Sequence, residues 1–236
     1  MPSSTRSTSA ATSAKRHPEP TAAFDSAQFA LSVAELEEIN STRLALLPEV
    51  AFVGRSNAGK SSVINVLTGQ RRLAFASKTP GRTQLLNFFT LCRRVQTGSL
   101  EPCAYLVDLP GYGFARVDNA TRSRWDRLVG GYLQTRRMLV GVVLVIDARR
   151  GLMPTDDDLL AWMMRRSQPE KLHLHLLLNK SDQLNASQRR ELQGAAEARA
   201  NALPMPTTVQ LFSAMKRTGV DELRSVVAHV LQTSRV

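Results

Sequence analysis

Cysteine is almost missing from this chain. Only Cys92 and Cys103 occur in 236 residues, too few for a disulfide framework, and both are expected as reduced thiols in a cytoplasmic setting. No secretory pattern of basic start, apolar run and small-residue cleavage site is present. The longest apolar run, Met138 to Ile146, falls far short of the roughly 18 residues that span a bilayer. Membrane insertion is therefore not expected, and the run reads as a buried strand. The SRV terminus carries no lipidation motif, which disfavours a membrane or vesicle protein. Internal repeats are absent too. Acidic residues are in deficit, 20 Asp and Glu against 31 Lys and Arg, so the formal net charge is +11. Polyanions are natural partners for such a charge. The first 24 residues hold Arg6, Lys15 and Arg16 against Glu19 and contribute only +2, so the basicity belongs to the remainder.

What is present divides into a tail and one domain. Residues 1–24 are Ser, Thr and Ala with scattered basic residues and two prolines, a composition expected to be disordered because it cannot bury enough apolar surface. The same stretch resembles an organelle transit peptide but lacks an obvious amphipathic helix, so a plain flexible tail is expected. Residues 25–236 alternate strand-like and helix-like stretches, the pattern of an α/β sheet with helices on both faces. Strands are predicted at Val50–Val53, Leu85–Cys92, Ala104–Asp108, Val140–Ile146, Leu172–Leu178 and Val209–Phe212. Runs such as VGVVLVI and LHLLL suit strands covered on both faces. Helices are predicted after Gly59 and over Thr121–Gln134, Thr155–Arg166, Ser187–Asn201 and Asp221–Gln232, with Thr155 as a capping residue. No helix separates the second and third of these strands. The sheet should therefore be mostly parallel with one antiparallel hairpin.

Residues 51–62 read AFVGRSNAGKSS, which contains G-x-x-x-x-G-K-[ST] between a predicted strand and a predicted helix. Such a loop turns successive backbone N–H groups toward phosphates at a helix N-terminus that already carries partial positive charge. Lys60 would reach the β- and γ-phosphates, and the Ser61 hydroxyl would coordinate Mg²⁺. Four fixed positions match by chance in about one such chain in a hundred, and the strand-loop-helix context narrows that further.

A phosphate loop does not choose between ATP and GTP. Asp108-Leu-Pro-Gly111 is a D-x-x-G at the end of a predicted strand. The Asp108 carboxylate would hold Mg²⁺ through water, and the Gly111 amide would sense the γ-phosphate. Asn179-Lys180-Ser181-Asp182 follows another buried strand. A carboxylate at Asp182 accepts from both the ring N–H and the exocyclic amine of guanine, a donor pair that adenine lacks, so GTP is the expected nucleotide. Asn179 would tie this loop to the phosphate loop, and the Lys180 stem would lie along the base. The loop Phe212-Ser213-Ala214-Met215-Lys216 follows the last strand and would offer a backbone N–H to guanine O6. Thr79 and Thr83 are both candidates for the second Mg²⁺ ligand, with Thr83 preferred because it lies just before a strand, on a loop carrying Pro80 and Gly81.

Taken together, GRSNAGKSS, TPGRTQLLNFF, DLPGYGFA, NKSD and FSAMKRTG resemble the EngB (YihA/YsxC) family of bacterial ribosome-biogenesis GTP-binding proteins, over about Phe24 to the C-terminus. The resemblance implies a P-loop GTPase fold, the G domain. It implies GTP or GDP contacts at Gly54, Arg55, Ser56, Asn57, Ala58, Gly59, Lys60 and Ser61, at Gly81, Arg82, Thr83, Gln84 and Leu85, and at Asp108, Leu109, Pro110 and Gly111. It further implies contacts at Asn179, Lys180, Ser181 and Asp182, and at Phe212, Ser213 and Ala214. Mg²⁺ would sit at Ser61 and Thr83. The implied role is assembly of the large ribosomal subunit, with its precursor and rRNA as partners, a link to cell division and septation, and action as a cytoplasmic monomer. NKSD departs from the many members that have Thr for Asn, and the long tail is not part of the pattern.

Within that resemblance the residue after the D-x-x-G glycine is Tyr112, where signalling GTPases place a water-orienting Gln. A phenol cannot do the same, so hydrolysis is expected to be slow, about 10⁻³ s⁻¹ or less. Catalytic roles fall to Lys60, Thr83 and Asn57. Asn57 stands where related families bind K⁺ in place of an arginine finger, an expectation that equal turnover in Na⁺ and K⁺ would remove. A non-enzymatic reading, an rRNA-binding scaffold whose nucleotide site is structural, stays open beside the switch. His173 and His175 share a strand face with no carboxylate or Cys to complete a metal site, so packing is expected of them. Arg pairs at 71 and 72, 93 and 94, 136 and 137, 149 and 150, and 165 and 166 are candidates for an rRNA-facing patch.

Overall fold

The computed structural model describes residues 22–41, 44, 46–75, 85–113 and 123–233. Strands β1 (Ala22–Val33), β2 (Glu49–Gly54), β3 (Leu86–Arg94), β4 (Leu100–Asp108), β5 (Leu139–Asp147), β6 (His173–Asn179) and β7 (Thr207–Leu211) form one sheet. Between them run helices α1 (Leu36–Ser41), α2 (Lys60–Thr68), α3 (Gly131–Thr135), α4 (Pro154–Met164), α5 (Ala186–Asn201) and α6 (Val220–Thr233). A π-helical turn at Asp126–Gly130 leads into α3. The strand order is β1-β3-β4-β2-β5-β6-β7. Only β3 runs against the rest, antiparallel to both β1 and β4, while β4, β2, β5, β6 and β7 are mutually parallel.

The all-apolar strands are explained by two cores. Ala51, Val53, Val142, Leu144 and Ile146 face one side with Leu159, Leu160 and Met163 of α4 and Ala196 and Ala200 of α5. Val50, Phe52, Val143 and Val145 face the other with Val63, Ile64 and Leu67 of α2 and Leu223 and Val227 of α6. Alternate residues of a strand point to opposite faces, so strands covered on both sides lose the polar half of their pattern.

Three elements differ from the sequence reading, the unpredicted short helix α1 (Leu36–Ser41) among them. Strand β1 was not predicted, and residues 22–24 of the stretch assigned to a tail are its first three; residues 1–21 lie outside the described residues. Its pairing with β3 shifts between Ala23 and Gln28 and again between Phe29 and Leu31, so Phe24, Ala27 and Val33 are buried at irregular spacing and the alternation that marks a strand is lost. Helix α4 starts earlier than expected, with Met153 rather than Thr155 at its cap. Pro154 at the first helical position has no N–H to satisfy, and the Asp156 carboxylate accepts the Met153 N–H at 2.8 Å. The caps of α5 are as ordinary propensity dictates, Asn185 accepting from the Gln188 amide at 2.9 Å and Gln188 returning the bond at 3.0 Å.

The strand starts carry buried polar groups. Glu49, first residue of β2, is fully buried. Its carboxylate accepts from the Tyr132 hydroxyl at 2.7 Å and from Arg136 Nε at 2.9 Å, with Arg136 Nη2 closing a second bond. His175 of β6 lies between Thr208 Oγ1 at 2.7 Å and Gln210 Oε1 at 3.0 Å, which is packing rather than metal binding. Among the described residues no group of three or more His, Cys, Asp or Glu is arranged to hold a metal. Cys92 and Cys103 are both thiols rather than a disulfide. No helix of the described residues is long and apolar enough to cross a membrane.

Burial, assisted by the neighbouring His173, depresses the His175 pKa to about 4 from 6.5, against the opposing bond to Gln210. Between pH 6.5 and 4 the unfolded chain therefore binds a proton that the folded chain refuses, so stability is full above 6.5 and falls as the pH drops through this window. The expected loss is about 3 kcal/mol by pH 4. Urea unfolding at pH 7 and pH 4.5 measures it, and H175N should flatten the slope; an unchanged slope assigns the acid sensitivity to other groups, such as His173, whose pKa burial and His229 also depress.

Candidate functional site

In a doubly wound sheet, ligands bind at the carboxyl ends of the parallel strands, where the strand order reverses. That point here is β2, whose hydrogen-bonded neighbours in the sheet are β4 on one side and β5 on the other. The residues singled out in the sequence gather at this end. β2 closes on Gly54, and α2 opens on Lys60. Between them the loop is tied to itself by Ala58 N–H donating to Arg55 O at 3.0 Å. Asn57 and Gly59 have φ of 69° and 96°, the left-handed region that Asn tolerates and glycine adopts freely. At Gly59 a Cβ would stand 2.4 Å from Asn179 Nδ2, so no other residue fits.

Asn179, at the end of β6 and almost fully buried, bridges three loops. Its Nδ2 donates to Ala58 O at 2.8 Å, and its Oδ1 accepts the Ala214 N–H at 3.1 Å. Lys180, also left-handed at φ 68°, extends over the phosphate loop and donates to Asn57 O at 2.6 Å and to Asp147 Oδ2 at 2.9 Å. Ser181 N–H and Oγ both donate to Phe212 O, at 3.1 and 2.9 Å. Asp182 is half-buried, and its Oδ1 accepts from Ser213 Oγ at 2.6 Å. The same Ser213 oxygen accepts the Lys216 amide at 3.0 Å. One carboxylate oxygen is therefore held by a fixed hydroxyl, which sets the orientation of the other.

On the other flank, Asp108 ends β4 as an ion pair with Lys60, both side chains largely buried. Gly111 and Tyr112 run beside the phosphate loop as a short extension of the sheet: Ser56 N–H donates to Tyr112 O at 2.9 Å, and Tyr112 N–H to Gly54 O at 3.4 Å. The Tyr112 side chain turns into the core. Its hydroxyl donates to Asp156 Oδ1 at 2.5 Å and its ring packs 5.7 Å from Trp125, whose indole N–H donates to Pro110 O. Burial, then the Asp156 charge, pushes this phenol far above its usual pKa, and burial likewise raises the Asp156 carboxyl. A phenol so engaged is turned away from the phosphate loop.

Leu85 is described, just ahead of β3. Thr79, Gly81, Arg82, Thr83 and Gln84 lie outside the described residues, as does the helix start at Thr121. Two acidic residues were missed. Asp147 ends β5 and binds Arg149 Nε at 2.9 Å as well as Lys180; although burial opposes it, these bonds hold its carboxyl well below the usual range. Asp156, already met at the α4 cap, anchors Tyr112. An acid closing the otherwise apolar VVLVID was the available signal for the first, and nothing local marks the second. The arginine pairs divide: Arg136 serves Glu49, Arg149 serves Asp147, and Arg166 donates to the carbonyls of Leu133 and Arg136, whereas Arg71, Arg72, Arg94, Arg137, Arg150 and Arg165 are solvent-exposed.

A family profile described as 50S ribosome-binding GTPase matches residues 49–180. A protein of Cupriavidus taiwanensis named "Probable GTP-binding protein EngB" is 42% identical over 210 residues, covering 86% of this chain and 84% of the relative. One of the same name from Burkholderia pseudomallei is 45% identical over 209 residues, covering 85% and 89%. Among solved structures, a probable GTP-binding protein engB superposes with a TM-score of 0.55 at 20% identity, over 78% of this chain and 99% of that one. An Aquifex aeolicus Era variant bound to GDP·AlF4⁻ superposes at 0.57 and 21% identity, over 78% and 56%. These two likenesses show the fold.

Proposed function

Because the chain belongs to the EngB family of GTP-binding proteins, we propose that it is a Mg²⁺-dependent GTP switch that hydrolyses GTP slowly and acts, as a cytoplasmic monomer, in assembly of the large ribosomal subunit, with consequences for cell division and septation. The observation that carries the reading is the convergence of four loops at one end of the sheet, three joined through Asn179, Lys180 and Ser213 and the D-x-x-G joined through Ser56 and Lys60. Main-chain amides around Gly59 and the ammonium of Lys60 suit a triphosphate, and Asp182 suits guanine.

The Lys60 and Asp108 pair supports the same chemistry. Each neutralises the other, and a magnesium triphosphate would offer each a partner of the same sign, phosphate in place of carboxylate for Lys60 and the metal in place of ammonium for Asp108. Ser61 would supply a hard oxygen donor of the kind Mg²⁺ prefers, with Thr83 assigned as the second ligand and Asp108 holding the ion through water. Mg²⁺ would supply charge neutralisation of the phosphates. K⁺ is assigned to Asn57, whose left-handed backbone places it exposed at the loop's rim. Tyr112, buried against Asp156, leaves the chain without a side chain at that position to orient water, which supports slow hydrolysis. The exposed arginines support contact with rRNA.

Removing Lys60 tests the reading. K60A is expected to lower affinity for GDP and GTP on the order of 100-fold, the loss of charge-assisted hydrogen bonds to phosphate. In co-sedimentation with ribosomal particles, the unmodified chain should pellet differently with GDP and with a non-hydrolysable GTP analogue. K60A should lose that difference. Identical pelleting of the unmodified chain in both nucleotides would favour the scaffold reading instead.

A further inference from the structure

The phosphate loop holds a hydroxyl that the nucleotide reading leaves without a task. The main-chain amide of Ser56 is already committed to Tyr112 O at 2.9 Å, and that of Ala58 to Arg55 O at 3.0 Å. The remaining donor of Ser56 is its side chain. The Ser56 oxygen is buried and has no hydrogen-bond partner among the described residues. Buried hydroxyls are nearly always bonded, so an orphan of this kind needs a reason.

Its surroundings supply one. A Cβ placed on Gly111 would stand 3.1 Å from Ser56 Oγ and 3.4 Å from both Ser56 N and Gly54 O. Glycine at 111 is thus what lets the D-x-x-G turn lie directly on the hydroxyl. Gly111 is also the residue whose amide is assigned to the terminal phosphate of a triphosphate. The hydroxyl therefore meets the D-x-x-G turn itself, which Ser56 also grips through its amide bond to Tyr112 O.

We propose that the Ser56 hydroxyl donates a hydrogen bond to the terminal phosphate of bound GTP, and so discriminates the triphosphate from the diphosphate. The proposal rests on the GTP reading and adds to it a side-chain contact that only one nucleotide state can satisfy. The orphaned donor is then a cost borne by the GDP form and relieved by GTP, which biases the equilibrium at the point where the D-x-x-G turn meets the loop.

Calorimetric affinities of the full chain and of S56A for GDP and for a non-hydrolysable GTP analogue, with Mg²⁺ present, test it. S56A is expected to lose roughly 10- to 100-fold more affinity for the analogue than for GDP, the worth of a hydrogen bond to a charged acceptor. GDP binding also reports that the loop is intact. S56C, isosteric with a weaker donor, should fall between. Equal loss for both nucleotides, or no loss for either, would overturn the proposal, the first by making the hydroxyl a general prop of the loop. Failure of the unmodified chain to take up either nucleotide would instead overturn the GTP reading, and this proposal with it.

Discussion

Replacing Asp182 with Asn should reduce affinity for guanine nucleotides by on the order of 10⁴-fold, the discrimination reached when a site built to hydrogen-bond a ligand group is left mismatched. Guanine presents two donors on this edge, the ring N–H and the exocyclic amine. The carboxylate accepts both, whereas an Asn amide turns one of its own donors against them. Xanthine carries an oxygen where guanine carries the amine, so the same Asn offers one acceptor and one donor to a matching pair. D182N is therefore expected to gain xanthine nucleotides as it loses guanine nucleotides. Ser213 matters to this outcome because its hydroxyl bonds Asp182 Oδ1 at 2.6 Å and so holds the carboxylate in one orientation. Calorimetry with GDP, XDP and ADP is the measurement, and D182N that bound GDP as tightly as the unmodified chain would remove Asp182 from base recognition.

The same residues show how far the chain can be read without coordinates. The phosphate loop, D-x-x-G, NKSD and the Ser213 loop were legible because each must present a particular atom at a particular backbone bend, and the residue types able to do so are few. The buried parallel strands were legible because burial on both faces removes polar residues altogether. What escaped depends on partners distant in sequence. β1 is marked only by packing against β3, and its bulges erase the alternation. Asp156 reads locally as one of three acids at a helix start, yet it meets Tyr112, 44 residues away. The arginine pairs read as surface, yet Arg136 and Arg166 proved to be partly buried and bonded inward, and Arg149, itself exposed, reaches back to Asp147. No local pattern separates an arginine that faces solvent from one that meets a buried carboxylate.

Arg136 is the clearest of these, and its removal should be the most damaging change to stability away from the nucleotide loops. Glu49 has no solvent exposure, so its carboxylate depends on Arg136 and the Tyr132 hydroxyl. Truncating Arg136 to Ala leaves a buried charge held by one hydroxyl, and breaking a buried pair from one side costs about 3–5 kcal/mol. Domains of this size lose about 2–4 °C of Tm per kcal/mol, so R136A is expected to melt on the order of 10 °C lower. Removing the whole network should cost far less, because no charge is then stranded: E49L, Y132F and R136M together are expected to recover most of the loss. Position adds a second expectation. Glu49 opens β2 and Gly54 closes it, so the network grips the strand at the end opposite the phosphate loop. At a temperature where R136A is still folded, its GDP affinity should equal that of the unmodified chain. A change below about 1 kcal/mol on urea unfolding, or a triple variant weaker than R136A, would show that Glu49 is satisfied by other means.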